Sequence, residues 1–112
     1  MADLEKFKTS IKEGYTFQKG SIVLGTAIFE GQPIKDALVR IPLKTLNRHG
    51  LIAGATGSGK TKTLQVIAEQ FSANGIPCLM MDLKGDLSGL AKPGLSNDAI
   101  AKRHDSLSLI HI

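Results

Sequence analysis

Tryptophan is absent from these 112 residues, tyrosine occurs once, and the one cysteine is Cys78. A lone cysteine excludes an intrachain disulfide framework and cysteine-rich zinc ligation, and it suits a reducing cytoplasm. His49, His104 and His111 have no ligand-like spacing to one another or to Cys78, so protein side chains alone indicate no metal site. No apolar run approaches the roughly 20 residues of a membrane-spanning helix, and charged Met1 to Ser10 lacks the apolar stretch of an export signal. A cytoplasmic chain with no membrane partner is therefore expected. The net charge of +4 invites a nucleic-acid reading, but residues 1–50 hold 8 Lys and Arg against 5 acids and residues 51–112 hold 6 against 5. Lys6, Lys8, Lys12 and Lys19 are interleaved with acids, with only Phe7, Tyr15 and Phe17 as stacking partners, so this segment reads as a solvated face and gives DNA binding no support of its own.

Glycine, by contrast, is abundant and concentrated where it has a purpose. Gly54-Ala55-Thr56-Gly57-Ser58-Gly59-Lys60-Thr61 fits G-x-x-x-x-G-K-[ST], preceded by apolar Leu51-Ile52-Ala53 and followed by a helix-like stretch from Lys60 to Asn74. Backbone N–H groups can converge on a triphosphate only where small residues let the chain curl. The free N–H groups of the following helix, at the positive end of its dipole, face the same anion. Lys60 would add a full charge at the β and γ oxygens, and Thr61 would place a hydroxyl on the Mg²⁺ that bridges them. Gly54, Ala55, Thr56, Gly57, Ser58, Gly59, Lys60, Thr61 and Lys62 are accordingly the candidate nucleotide-binding residues, with ATP and Mg²⁺ as the ligands and Lys60 also a catalytic candidate.

Leu64, Ile67, Ala68 and Phe71 recur at helical spacing, which predicts an apolar face packed on a sheet. Gly75 then stops the helix, and Cys78-Leu79-Met80-Met81 has the content of a buried strand. A strand, helix, strand unit results. It ends in Asp82-Leu83-Lys84-Gly85-Asp86, where an acid at the carboxyl end of a strand would lie in the ligand crevice of an open α/β sheet. Asp82 and Asp86 are therefore candidate catalytic acids, and Asp82 with Thr61 a candidate Mg²⁺ ligand. The alternative for both acids is ordinary turn chemistry, which Asp and Gly favour.

Upstream, Ser21 to Phe29 and Ala37 to Ile41 read as two strands of a hairpin joined by Glu30 to Asp36. The lysine-rich residues 1–19 are weakly periodic and read as a solvated, partly disordered arm. The expected organisation is thus an arm (1–19), a hairpin or barrel-like segment (20–46) and the first part of an ATPase domain (47–106).

Asn47-Arg48-His49-Gly50, the P-loop, and Met81-Asp82-Leu83-Lys84-Gly85-Asp86-Leu87-Ser88-Gly89-Leu90 together resemble the bacterial HerA-like ATPases of the DUF853 (YjgR-type) family, over about Ile41 to Gly94. The resemblance implies a fold of α/β class: a truncated P-loop NTPase core, RecA-like and of the HerA/FtsK branch, preceded by a small β-hairpin. It implies a motor ATPase, commonly a homo-hexamer, that hydrolyses ATP while moving on DNA or another polymer. It also implies that a separate acidic Walker B strand and an arginine finger lie downstream of this sequence, which makes Asp82 an accessory acid. The alternatives are a small-molecule kinase, against which stand only three scattered arginines (Arg40, Arg48 and Arg103), and a nucleotide-binding regulatory module without turnover.

The final residues Leu107-Ser108-Leu109-Ile110-His111-Ile112 resemble the translated mosaic-end adaptor of transposase-based sequencing libraries, although they also alternate like a short strand. The adaptor reading is preferred, and residues 107–112 are set aside from the fold. Two central parallel strands cannot cover their own apolar faces, so a poorly soluble or molten chain is expected.

Overall fold

A computed structural model describes residues 2–107 of the chain. The order of elements is helix α1 (Ala2–Gly14), strands β1 (Ser21–Phe29) and β2 (Gln32–Pro42), a 3-10 turn at Leu43–Thr45, helix α2 (Lys60–Ala73), a second 3-10 turn at Ser88–Ala91 and helix α3 (Asp98–Leu107). Among the described residues the only sheet is the two-stranded pair β1-β2.

The hairpin expected from the sequence is present, with a tighter turn. Glu30 and Gly31 both carry positive φ, 49° and 78°, and they alone connect the strands. Two consecutive residues of that kind match the right-handed twist of the flanking strands, whereas the seven-residue connection expected over Glu30 to Asp36 does not form. Pro33 sits inside β2 because a two-stranded ribbon has only edge strands, where a missing N–H is tolerated.

The structure divides into two compact units. One holds α1, the hairpin tip Gly25–Val39 and α3. Here the amino-terminal residues, expected as a solvated arm, form a helix whose Leu4, Phe7 and Ile11 make a narrow half-buried stripe. The Phe7 and Phe29 rings lie 5.1 Å apart at a 42° tilt, an aromatic contact that contributes about 0.5–1.5 kcal/mol beyond its area. Lys12 approaches Asp36 at 3.9 Å, an exposed pair of little weight. Helix α3 begins at Asn97, whose Oδ1 accepts the Ile100 N–H at 2.9 Å as an N-terminal cap.

The other unit contains Phe17–Leu24 and Arg40–Pro93. Helix α2 spans the predicted residues and stops as predicted. Gly75 lies at φ 70°, the Gly75 N–H bonds to Ser72 at 3.0 Å and the Ile76 N–H to Phe71 at 2.9 Å, the paired bonds of a Schellman ending. The side chain of Gln70 reaches β1: its Oε1 accepts the Val23 N–H at 2.6 Å and its amide nitrogen donates to the Val23 carbonyl.

Neither Leu51-Ile52-Ala53 nor Cys78 to Met81 forms a strand, so the expected strand, helix, strand core is not seen. Cys78, expected in a buried strand, is exposed. Leu51, Leu79, Met81 and Leu83 are 86% or more exposed. A parallel strand is made by its neighbours, and no other extended segment among the described residues pairs with these two. The predicted apolar face of α2 follows suit: Ile67, Ala68 and Phe71 are half-buried, Leu64 is exposed, and no residue of the helix is fully buried. Among the described residues the buried apolar side chains are Ile22 in one unit and Ala27 and Ala37 in the other. Residues 108–112, most of the adaptor-like segment, lie outside the described residues.

So little burial predicts a chain that binds a hydrophobic dye and melts over a broad range without a sharp transition. Leu79→Lys combined with Met81→Lys should lower the dye signal while leaving the hairpin's circular dichroism unchanged. A sharp melt with exchange-protected amides across Leu51 to Ala53 would contradict this.

Candidate functional site

The glycine-rich loop takes its shape from local bonds. Gly57 and Gly59 lie at φ 78° and 94°, in the left-handed region where a side chain would be strained. At Gly54 the constraint is space, because a Cβ there would stand 2.5 Å from Ser58 Oγ. These three glycines let residues 54–59 curl into the start of α2, with Gly59 at the N-cap position. No side chain caps the helix, so its first N–H groups lack a side-chain acceptor and remain open to an anion.

One carbonyl organises the loop. Ala55 O accepts the Ser58 N–H at 3.2 Å, the Ser58 hydroxyl at 2.7 Å and the Lys60 ammonium at 2.7 Å. Three donors compete for an oxygen with two lone pairs, in water-exposed surroundings, so Lys60 can leave for a stronger acceptor at small cost. The ammonium is thereby held over the loop on a flexible stem. Thr61 is half-buried in the first turn of α2, and Lys62 is exposed with its ammonium 2.9 Å from Gln65 Oε1. Residues 54–62 thus form one loop leading into the first turn of α2. Thr56, between them, is exposed.

Asp82 and Asp86 are not at the end of a strand, which corrects the reasoning that placed them in a sheet crevice. Asp82 instead folds its own loop. Its Oδ1 accepts the N–H groups of Lys84 at 3.0 Å and Gly85 at 2.9 Å, and its Oδ2 accepts that of Leu87 at 2.7 Å. These donors, Leu87 foremost, hold the Asp82 carboxyl below its ordinary value of 3.8 and so keep it anionic. This is the turn chemistry that the sequence left open. The Asp86 side chain is exposed, while its carbonyl accepts from Gln65 Nε2 at 3.3 Å, which ties the acidic loop to α2 one turn beyond Lys60. Gln65 and Gln70 are therefore the site-supporting residues that sequence reasoning missed: a polar residue on a helix reads as solvated, and periodicity carries no signal of what its amide touches.

The donor set fits a phosphate ligand better than a bare cation. Among the described residues no three His, Cys, Asp or Glu side chains gather. A magnesium ion here would depend on phosphate oxygens and water for most of its coordination, with Thr61 and Asp82 as the protein oxygens proposed for it. No helix among the described residues is long and apolar enough to cross a membrane.

Comparison with known proteins adds one match. A family model described as helicase HerA-like C-terminal covers residues 28–112, from the end of β1 through the glycine-rich loop and the acidic loop. No curated protein and no solved structure matches the chain.

The lowered Asp82 value sets a pH expectation. A carboxylate favoured in the folded loop contributes stability that is present above its unfolded value, 3.8, and is lost as the pH falls through the lower folded value. The Leu87 amide resonance should therefore titrate with a midpoint below pH 3.8, and Asp82→Asn should displace it at all pH values. A midpoint above 3.8 would overturn this account of the loop.

Proposed function

The chain belongs to the helicase HerA-like C-terminal family, a family of motor ATPases, and we propose that it supplies the Mg-ATP site of such a motor. The observation that supports this is the loop of Gly54 to Lys60, with left-handed Gly57 and Gly59 leading into an uncapped helix N-terminus and the Lys60 ammonium poised over it. Residues 54–59 would surround the α- and β-phosphates with N–H groups. Lys60 would exchange the Ala55 carbonyl for the β and γ oxygens, a charge-assisted pairing stronger than the one it leaves. Bound magnesium would neutralise charge on those oxygens, and Thr61 and Asp82 are the residues proposed to hold it. Asp86 and Lys62 would border the same phosphates.

Hydrolysis would be stabilised by Lys60 as charge develops on the transferred phosphoryl group. The YjgR-type assignment within the family, the homo-hexamer and a DNA track are parts of the proposal that rest on family likeness alone. A small-molecule kinase remains the competing reading of the same P-loop.

Titration of the 112-residue chain with a fluorescent ATP analogue and magnesium tests the site directly. Lys60→Ala should weaken binding by about tenfold or more, the loss expected when a charge-assisted bond of ~1.5–3 kcal/mol is removed. Thr61→Ala should weaken magnesium-dependent binding and leave magnesium-free binding unchanged. Equal affinity in wild type and Lys60→Ala would remove the basis of the reading, and phosphate transfer to a small acceptor would favour the kinase.

A further inference from the structure

Helix α2 is anchored at both ends by features that serve different purposes. Its N-terminus carries the glycine loop and Lys60, and its last turns carry Gln70, ten residues into the helix and about 15 Å from its start. Gln70 does something unusual for a surface glutamine. Its primary amide pairs with both the N–H and the carbonyl of Val23, as a neighbouring strand would, and so occupies that stretch of the open edge of β1. About three turns of helix therefore join the proposed phosphate-binding loop to the hairpin.

The helix itself is marginal. It has 14 residues, none of them fully buried, no acid in its first turn, no basic residue in its last and no side-chain cap. Helices of this length are barely stable on their own, and their order is cooperative along the length. An anion at the N-terminus satisfies the open N–H groups and the dipole together, which raises the helical population as far as the Schellman ending at Gly75. Gln70 can hold Val23 in both bonds only while its own stretch of backbone is helical.

We propose that Gln70 is a positioning residue that transmits nucleotide occupancy of the P-loop to strand β1, so that ATP binding and hairpin order are thermodynamically coupled. The proposal rests on the Mg-ATP reading above. The coupling is reciprocal: whatever holds Val23 against Gln70 raises nucleotide affinity by the same factor. Its local character sets it apart from general ligand stabilisation, which would raise protection throughout the folded structure.

Hydrogen exchange of individual amides in the full 112-residue chain, with and without Mg-ATP, measures it. Saturating nucleotide should slow exchange at Val23 by about fivefold or more, the lower range of site-to-site couplings, with little change at Ala37 in β2. Gln70→Ala should still bind the fluorescent ATP analogue yet lose the nucleotide-dependent slowing at Val23. Gln70→Glu keeps an acceptor for the Val23 N–H and loses the donor to its carbonyl, and it should retain part of the effect. Bound nucleotide with unchanged Val23 exchange in wild type would overturn the coupling while leaving the ATP site intact, and so would equal slowing at Val23 and Ala37. Undiminished slowing in Gln70→Ala would overturn the role of Gln70. A wild-type chain that fails to bind the analogue would overturn the Mg-ATP reading and this coupling with it, an outcome told apart by the titration alone.

Discussion

Helix α2 has a polar clamp on the hairpin, and the arrangement of its unit depends on it. Helix α2 buries no residue completely, so apolar packing alone does not fix where it lies. The Gln70 amide supplies direction, because a hydrogen-bonded pair on Val23 is satisfied at one distance and one orientation only. Each bond of this kind contributes about 1 kcal/mol net, and breaking one would leave part-buried backbone groups of β1 unpaired. Such a contact also blocks further strand pairing at Val23, an edge hazard that proteins with open sheets must manage.

The glycine-rich loop and the expected strands differ in how far apart in the chain their determinants lie. The loop is local. Gly54, Gly57, Gly59, the Ala55 carbonyl and Lys60 fall within seven consecutive residues and close on one another without a sheet beneath them. Parallel strands are not local. Leu51 to Ala53 and Cys78 to Met81 would require partners on both sides and helices over both faces, and here they form no strand and are exposed except for half-buried Met80. The glycine-rich loop thus closes on its own local bonds, without a sheet beneath it.

The same distinction explains what could be read from the residues. Helix α2 was legible because its apolar spacing, its glycine start and its Gly75 stop are all encoded within one short segment. The hairpin was legible in its strands, while its turn was misjudged because Pro33 looked like a loop residue and turned out to be tolerated at an edge. Helix α1 was missed since Leu4, Phe7 and Ile11 make a stripe too sparse to signal by itself; Phe29, across the unit, completes it. Gln65 and Gln70 were illegible in principle. Their partners, Asp86 and Val23, are 21 and 47 residues away, and no spacing rule reaches that far.

Asp82 shows how one side chain can answer to both readings of the acidic loop. A carboxylate offers about four acceptor positions, and the loop's N–H groups occupy two on Oδ1 and one on Oδ2. The Asp86 N–H also bears on this carboxylate, so the loop takes up most of the acceptor capacity of an exposed side chain that its neighbours hold anionic. That leaves room for a supporting contact through water and not for two-oxygen coordination of a metal ion. An acid so placed would act as an accessory to the proposed nucleotide-bound magnesium, with phosphate oxygens doing most of the coordination. The bonds that keep Asp82 charged are thus the same ones that limit it to a supporting part in the proposed site.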